Sequence, residues 1–125
     1  MPRFLTEARR LVRSRRNSPL LRATLRYMLA NSVGKQHATP IDTIIRHLNS
    51  RGFQINREQF QHQVLVPSRE GTLYIASFGH FGRGGIYLVE TTEDTKPMIS
   101  FYKRRIAKER QHLDHLVDLR DAEWP

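Results

Sequence analysis

The stretch PIDTIIRHLNSRGFQINREQFQHQV, residues 40–64, decides the fold. In its first half, apolar residues recur at the three-and-four spacing of one helix face. These residues are Ile41, Ile44, Ile45 and Leu48. The sequence predicts a helix with Thr39 as the N-cap and Pro40 in the first helical position, which stops at Gly52.

The second half of the stretch predicts another helix, which follows a tight turn. Asn56 can cap this helix while the side chain of Gln59 reaches back to form a capping box. Ile55 and Phe60 flank the cap as a hydrophobic staple. Because proline cannot continue a helix, we expect the helix to end just before Pro67.

A further helix is predicted upstream, in SPLLRATLRYMLANSVG, residues 18–34. Ser18 suits the N-cap and Pro19 suits the first helical position. The predicted buried side of this helix consists of Leu21, Leu25, Met28 and Leu29. Gly34 and the polar residues after it should end the helix.

Downstream, LYIASFGHFGRGGIYLVET, residues 73–91, contains two β-rich runs around a glycine-dense tip. This pattern predicts a β-hairpin. The tip, residues 79–84, is longer than a tight two-residue turn. We therefore expect two short paired strands with an extended connection.

The N-terminal segment, residues 4–16, predicts a short basic amphipathic helix. Its apolar stripe consists of Phe4, Ala8, Leu11 and Val12. The arginines around the stripe either contact a phosphate backbone or form the solvated face of a docked helix.

From about Thr92 the chain is again predicted to be helical, with an apolar stripe that Glu109 interrupts. The stripe consists of Ile99, Tyr102, Ile106, Leu113 and Leu116. Such a stripe packs back on the domain or pairs with a second copy. Together with the N-terminal stripe it favours a homodimer. Residues 119–125 are acidic and predicted to be a frayed tail.

The composition indicates one domain, residues 18–92, with appendages at residues 1–17, 93–118 and 119–125. The 21 Lys and Arg residues outnumber the 12 Asp and Glu residues, so the net charge is +9. This balance points to a polyanionic partner. No apolar run approaches the ~20 residues that span a bilayer, so no membrane partner is expected. The absence of cysteine excludes disulfides and thiolate chemistry and fits a cytoplasmic protein.

The order of helix, helix, tight turn, helix and hairpin resembles the winged helix-turn-helix superfamily over roughly residues 18–92. The two quoted stretches, residues 40–64 and 73–91, carry the resemblance. It implies an α+β fold, mainly α, with flanking N- and C-terminal helices. The helix after the hairpin is similar to that of small winged-helix proteins of bacteria and their phages. The resemblance thus places the chain at a bacterial nucleoid or in a phage-infected cell.

The resemblance also implies a partner, double-stranded DNA, and a role as a sequence-specific regulator or a phage or plasmid control protein. The third helix would enter the major groove and the hairpin, as a wing, the minor groove. The expected DNA-binding residues are Arg57, Gln61, His62, Arg69, His80, Arg83, Arg10 and Arg13. Among them, Arg57 and Gln61 are the candidates for base edges. Glu58 would either accept a hydrogen bond from a cytosine amino group or indicate that a different set of residues on this helix faces the DNA.

Other chemistries are not expected. The glycine-rich tip lacks the lysine-serine/threonine ending of a P-loop and precedes a strand. His112 and His115 have no further metal-ligand motif beside them. We therefore predict no enzymatic activity, no cofactor and no metal. Two alternatives remain, a winged-helix module that docks a protein partner in a replication, repair or defence complex, and a nonspecific nucleic-acid or RNA binder.

Overall fold

The computed structural model describes residues 3–71, 73, 75–78 and 85–125. Its helices are α1 (Arg3–Arg13), α2 (Pro19–Asn31), α3 (Ile41–Ser50), α4 (Arg57–Phe60), α5 (Val66–Glu70) and α6 (Thr92–Glu123). A π-helical stretch, Gln61–Leu65, joins α4 to α5, and a 3-10 turn spans Lys35–His37. The strands β1 (Ile75–Phe78) and β2 (Gly85–Leu88) pair antiparallel. The described chain is thus mainly helical with a small sheet, which confirms the predicted α+β, mainly α class.

The chain divides into two compact units, Met1–Thr95 and Lys96–Pro125. The first unit holds a core built from α1 to α4, the π-helical stretch and the sheet. The second unit is the greater part of α6 with the chain end. No helix in the described part of the chain is long and apolar enough to cross a membrane.

Helix α2 begins as the sequence predicts, since the Ser18 hydroxyl accepts the N–H of Leu21 at 3.1 Å. Its fully buried residues are Leu20, Thr24, Leu25 and Met28. The prediction that Leu21 and Leu29 belong to the buried side is wrong in part, because both are only half-buried against the core. The buried face is instead centred on Leu20, Thr24 and Met28, and the Thr24 hydroxyl is satisfied there because it donates to the Leu20 carbonyl at 2.8 Å.

Helix α3 buries the four apolar residues that the sequence predicts. The predicted Thr39 cap is wrong, because Pro40 occupies the N-cap position and no side chain caps the helix. Thr39 instead pairs with β2. Its N–H donates to the Ile86 carbonyl at 2.9 Å, and its carbonyl accepts the Ile86 N–H at 2.8 Å. The segment between α2 and α3 thus extends the sheet by one antiparallel bridge.

The helical segment of residues 57–70 does not end at Pro67 as predicted. The N–H of Val66 donates to the Gln61 carbonyl across a π turn, and α5 then continues to Glu70. Pro67 lies within the first turn of α5, where the missing N–H is tolerated. The π stretch therefore allows a helical segment to pass through a proline.

Two glycines allow the sheet and the α3 turn to form. Gly85, at the start of β2, has φ +98°, and a Cβ there would lie 2.4 Å from the Thr39 carbonyl carbon. Gly52, after α3, has φ +100° and no atom within 4 Å of such a Cβ. Close backbone approach therefore requires glycine at 85, and backbone conformation alone favours it at 52.

Asp94, near the start of α6, connects three parts of the first unit. Its carboxylate accepts the N–H groups of Lys35 at 3.0 Å, Glu90 at 2.9 Å and Thr91 at 3.0 Å. Its carbonyl accepts the buried Tyr87 hydroxyl at 2.6 Å. Burial alone raises the pKa of Asp94, but the three N–H donors bring that pKa below its ordinary value. The carboxylate therefore stabilises the fold in its charged form.

Helix α1 ends at Arg13, three residues before the predicted end. Leu5 and Ala8 are buried in the core, and Leu11 and Val12 pack against it. The prediction that this stripe is spare for dimerisation is wrong, because the core of the same chain covers it. The described side chains of α1 begin at Leu5, so Phe4 lies outside them.

Helix α6 extends to Glu123, so the predicted frayed tail of residues 119–125 is helical over most of its length. Residues 99–125 are exposed throughout, apart from the half-buried Val117. Exposed apolar side chains here include Ile99, Tyr102, Ile106, Leu113, Leu116 and Leu119. The predicted stripe is therefore present and solvent-facing.

Candidate nucleic-acid interface

The start of the candidate recognition segment, α4, is fixed by the predicted capping box. The Asn56 side chain accepts the Gln59 N–H at 2.8 Å, and the Gln59 side chain accepts the Asn56 N–H at 2.9 Å. Phe60 and Val64 are fully buried, which anchors the segment to the core. The opposite side of residues 57–63 is polar and faces solvent.

The two base-edge candidates differ in their surroundings. Arg57 is exposed and lies 3.9 Å from the carboxylate of Asp42, on α3. Gln61 is half-buried and opens the π stretch, whereas His62 is fully exposed. A regular α-helix would turn Gln61 fully outward, but the wider π turn changes this direction. Glu58 is exposed beside Arg57.

The other predicted contacts lie on separate elements. Arg69 is half-buried on α5, and the arginines of α1, Arg10 and Arg13, are exposed. Arg10 donates to the Glu7 carboxylate at 3.0 Å, an interaction that raises the pKa of Arg10. This ion pair offsets part of the positive charge of α1. The two predicted wing residues, His80 and Arg83, lie outside the described residues.

A basic groove that the sequence pattern does not reveal lies between α2 and the end of α3. It encloses about 600 Å³, and its lining includes Arg22, Arg26, Tyr27, Asn31, His47 and Arg51. The rings of Tyr27 and His47 lie 4.5 Å apart, tilted by 42°. Since these residues come from two helices, only their packing brings the arginines together. No carboxylate is among the described lining residues.

Comparison with models of known families, with curated proteins and with solved structures found no match. Among the described residues, no group of three His, Asp or Glu side chains could hold a metal ion.

The charges around the recognition segment are balanced. Exposed or half-buried Arg57 and Arg69 are offset by the exposed Glu58 and Glu70. This segment therefore offers hydrogen-bond donors and acceptors more than net charge. The basic groove and the arginines of α1 supply positive charge that phosphates require.

Proposed function

We propose that this protein binds double-stranded DNA through a winged helix-turn-helix domain and acts as a dimer in sequence-specific regulation. The observation that carries the proposal is the polar, solvent-facing side of residues 57–63, anchored by Phe60 and Val64 and followed by a β-hairpin. A helix presented in this way fits the major groove, where each base pair has its own donor and acceptor pattern.

The sheet supports the winged-helix interpretation. The helices and the hairpin form one unit, because the segment between α2 and α3 contacts β2. Here Thr39, between α2 and α3, bridges antiparallel to Ile86 of β2. No local sequence signal predicts this strand contact.

The roles follow from side-chain chemistry. Arg57 would donate to the two acceptors of a guanine, and Gln61 would pair with an adenine edge. His62 would contact a base edge or a neighbouring phosphate. Arg69, Arg10 and Arg13 would contact the backbone, and Arg83 with His80 would reach the minor groove from the hairpin tip.

The proposal is tested by fluorescence anisotropy with a duplex of random sequence. Arg57→Ala should weaken binding about three- to tenfold, because a cation and base-edge donor in the major groove is lost. Arg104→Ala on α6 removes the same charge outside the recognition segment and serves as the matched control. Equal effects of both substitutions, or no binding by the wild type, would rule out this role for residues 57–63.

A second candidate function is favoured by the exposed apolar side chains of α6, among them Ile106 and Leu116. These side chains suit a protein partner in a larger complex. Under this interpretation Arg57→Ala leaves function intact, whereas Ile106→Asp abolishes it. A nonspecific or RNA-binding role predicts equal affinity for unrelated sequences and a steep salt dependence.

A further inference from the structure

Helix α6 presents to solvent an apolar seam that Glu109 interrupts. Ile106 is 66% exposed, Leu113 59% and Leu116 63%. In a seven-residue repeat, the a positions are Ile99, Ile106, Leu113 and Arg120, and the d positions are Tyr102, Glu109, Leu116 and Glu123. A long exposed helix with this repeat has the form of one strand of a coiled coil.

The charges of α6 are segregated along its length. Residues 103–110 contain the basic Lys103, Arg104, Arg105, Lys108 and Arg110 against a single acid, Glu109. Residues 113–123 contain the acidic Asp114, Asp118, Asp121 and Glu123 against a single arginine, Arg120. The helix dipole does not explain this order, because the basic residues lie beyond the first turn of α6 and the acidic ones extend into its last turn, where acids are unfavourable. The segregation therefore does not stabilise an isolated helix and needs another explanation.

We propose that residues 106–123 of α6 pair with the same residues of a second copy in an antiparallel coiled coil. This inference rests on the proposed dimer and assigns its geometry. A parallel pair would place the two basic halves side by side and the two acidic halves side by side. An antiparallel pair of residues 106–123 places Lys108 and Arg110 of each copy beside the acidic end of its partner, which lowers the electrostatic energy.

The charged seam positions select the register. In a parallel pair, Glu109 would face the partner's Glu109 and Arg120 would face the partner's Arg120. In an antiparallel pair, a positions face d positions, and Glu109 can face the partner's Arg120. This register also places Leu113 against the partner's Leu116, twice in each dimer. Ile99 and Tyr102 then lie beyond the end of the partner helix.

Charge reversal of the full-length protein tests this geometry, with the dimer dissociation constant measured by sedimentation equilibrium. Glu109→Arg and Arg120→Glu should each weaken the dimer at least about tenfold, because each places like charges together twice. The double variant E109R/R120E should return to wild-type affinity. In a parallel dimer the facing residues stay alike in all these variants, so unchanged affinity of both single variants would overturn the proposal.

Disulfide formation provides a second measurement, because the chain contains no cysteine. Ile106→Cys and Glu123→Cys proteins, when mixed and oxidised, should form a mixed disulfide. Ile106→Cys alone should not cross-link, because the two copies of residue 106 lie about 25 Å apart in this register. Efficient self-cross-linking of Ile106→Cys would overturn the antiparallel orientation.

Dimerisation through α6 and DNA binding are measured separately. Circular dichroism of each variant reports whether α6 stays helical, and anisotropy with duplex DNA reports the activity of the first unit. A wild-type protein that is monomeric at micromolar concentration overturns the coiled coil, even when it binds DNA. Weaker DNA binding by Arg57→Ala with an intact dimer supports both proposals.

Discussion

At the scale of single residues, Gly85 and Asp94 each connect separate segments of the first unit. Gly85 lets the backbone of β2 approach that of Thr39, and Asp94 gathers three backbone N–H groups from two loops. Both contacts join segments that are distant in sequence. Substitutions at these two positions should therefore disturb the assembly of the first unit.

Gly85→Ala should destabilise the protein by about 3 kcal/mol or more, because the new methyl group meets backbone atoms at a positive φ. Gly52→Ala shares the positive φ but has open space around it. This control should lose only about 1–2 kcal/mol. The two variants are compared by urea unfolding, and equal losses would contradict the role given to the Thr39 contact.

Asp94→Asn should lower the free energy of unfolding at neutral pH by about 1–3 kcal/mol, because a charged acceptor of three N–H groups is lost. The wild-type pKa is lower when folded than when unfolded, so the carboxylate stabilises the fold above its unfolded pKa of about 3.9. That contribution disappears as pH falls through the folded pKa. Unfolding of both proteins from pH 7 to pH 2 should therefore show their stabilities converging in acid.

At the scale of elements, the segment of residues 57–70 depends on its N-terminal cap. Asn56→Ala should destabilise the protein by about 1 kcal/mol, since the Gln59 N–H loses its acceptor. Gln54→Ala, at an exposed position in the preceding turn, serves as the control and should change stability by less than about 0.5 kcal/mol. Thermal unfolding of the two variants measures the difference, and a neutral Asn56→Ala would show that tertiary packing alone fixes this helix.

Local signals predict most of these elements correctly, because capping and apolar spacing act between near neighbours. The Asn56 capping box, the Ser18 cap and the buried face of α3 are examples. The passage of the helix through Pro67 was not predictable, because it depends on an unusual π turn. Local capping preference indicates Thr39 as an N-cap although it pairs with β2, since strand pairing between distant segments leaves no short-range pattern.

The candidate site is likewise only partly predictable from short-range sequence patterns. The polar side of residues 57–63 follows directly from the burial of Phe60 and Val64. The basic groove does not follow from the sequence, because Arg26 and Arg51 line one groove only when α2 packs beside the end of α3. Sequence spacing alone gives no sign of that meeting.

At the scale of the whole molecule, the net charge of +9 predicts an affinity for duplex DNA that falls as the salt concentration rises. If the groove contacts phosphate, Arg26→Ala and Arg51→Ala should each weaken binding to any duplex several-fold. Each should also reduce the slope of log affinity against log salt by about 1. Arg104→Ala is the control. An unchanged slope for both groove variants would place the phosphate contacts elsewhere.

The most direct test of the central claim is selection of bound sequences from a random duplex pool, at two salt concentrations, with the wild-type protein and Gln61→Ala. Sequence-specific binding by a symmetric dimer should enrich a motif with two-fold symmetric halves, and Gln61→Ala should relax the preference at one position of each half. Binding without sequence enrichment, or no binding to duplex DNA at physiological salt, would contradict the central claim.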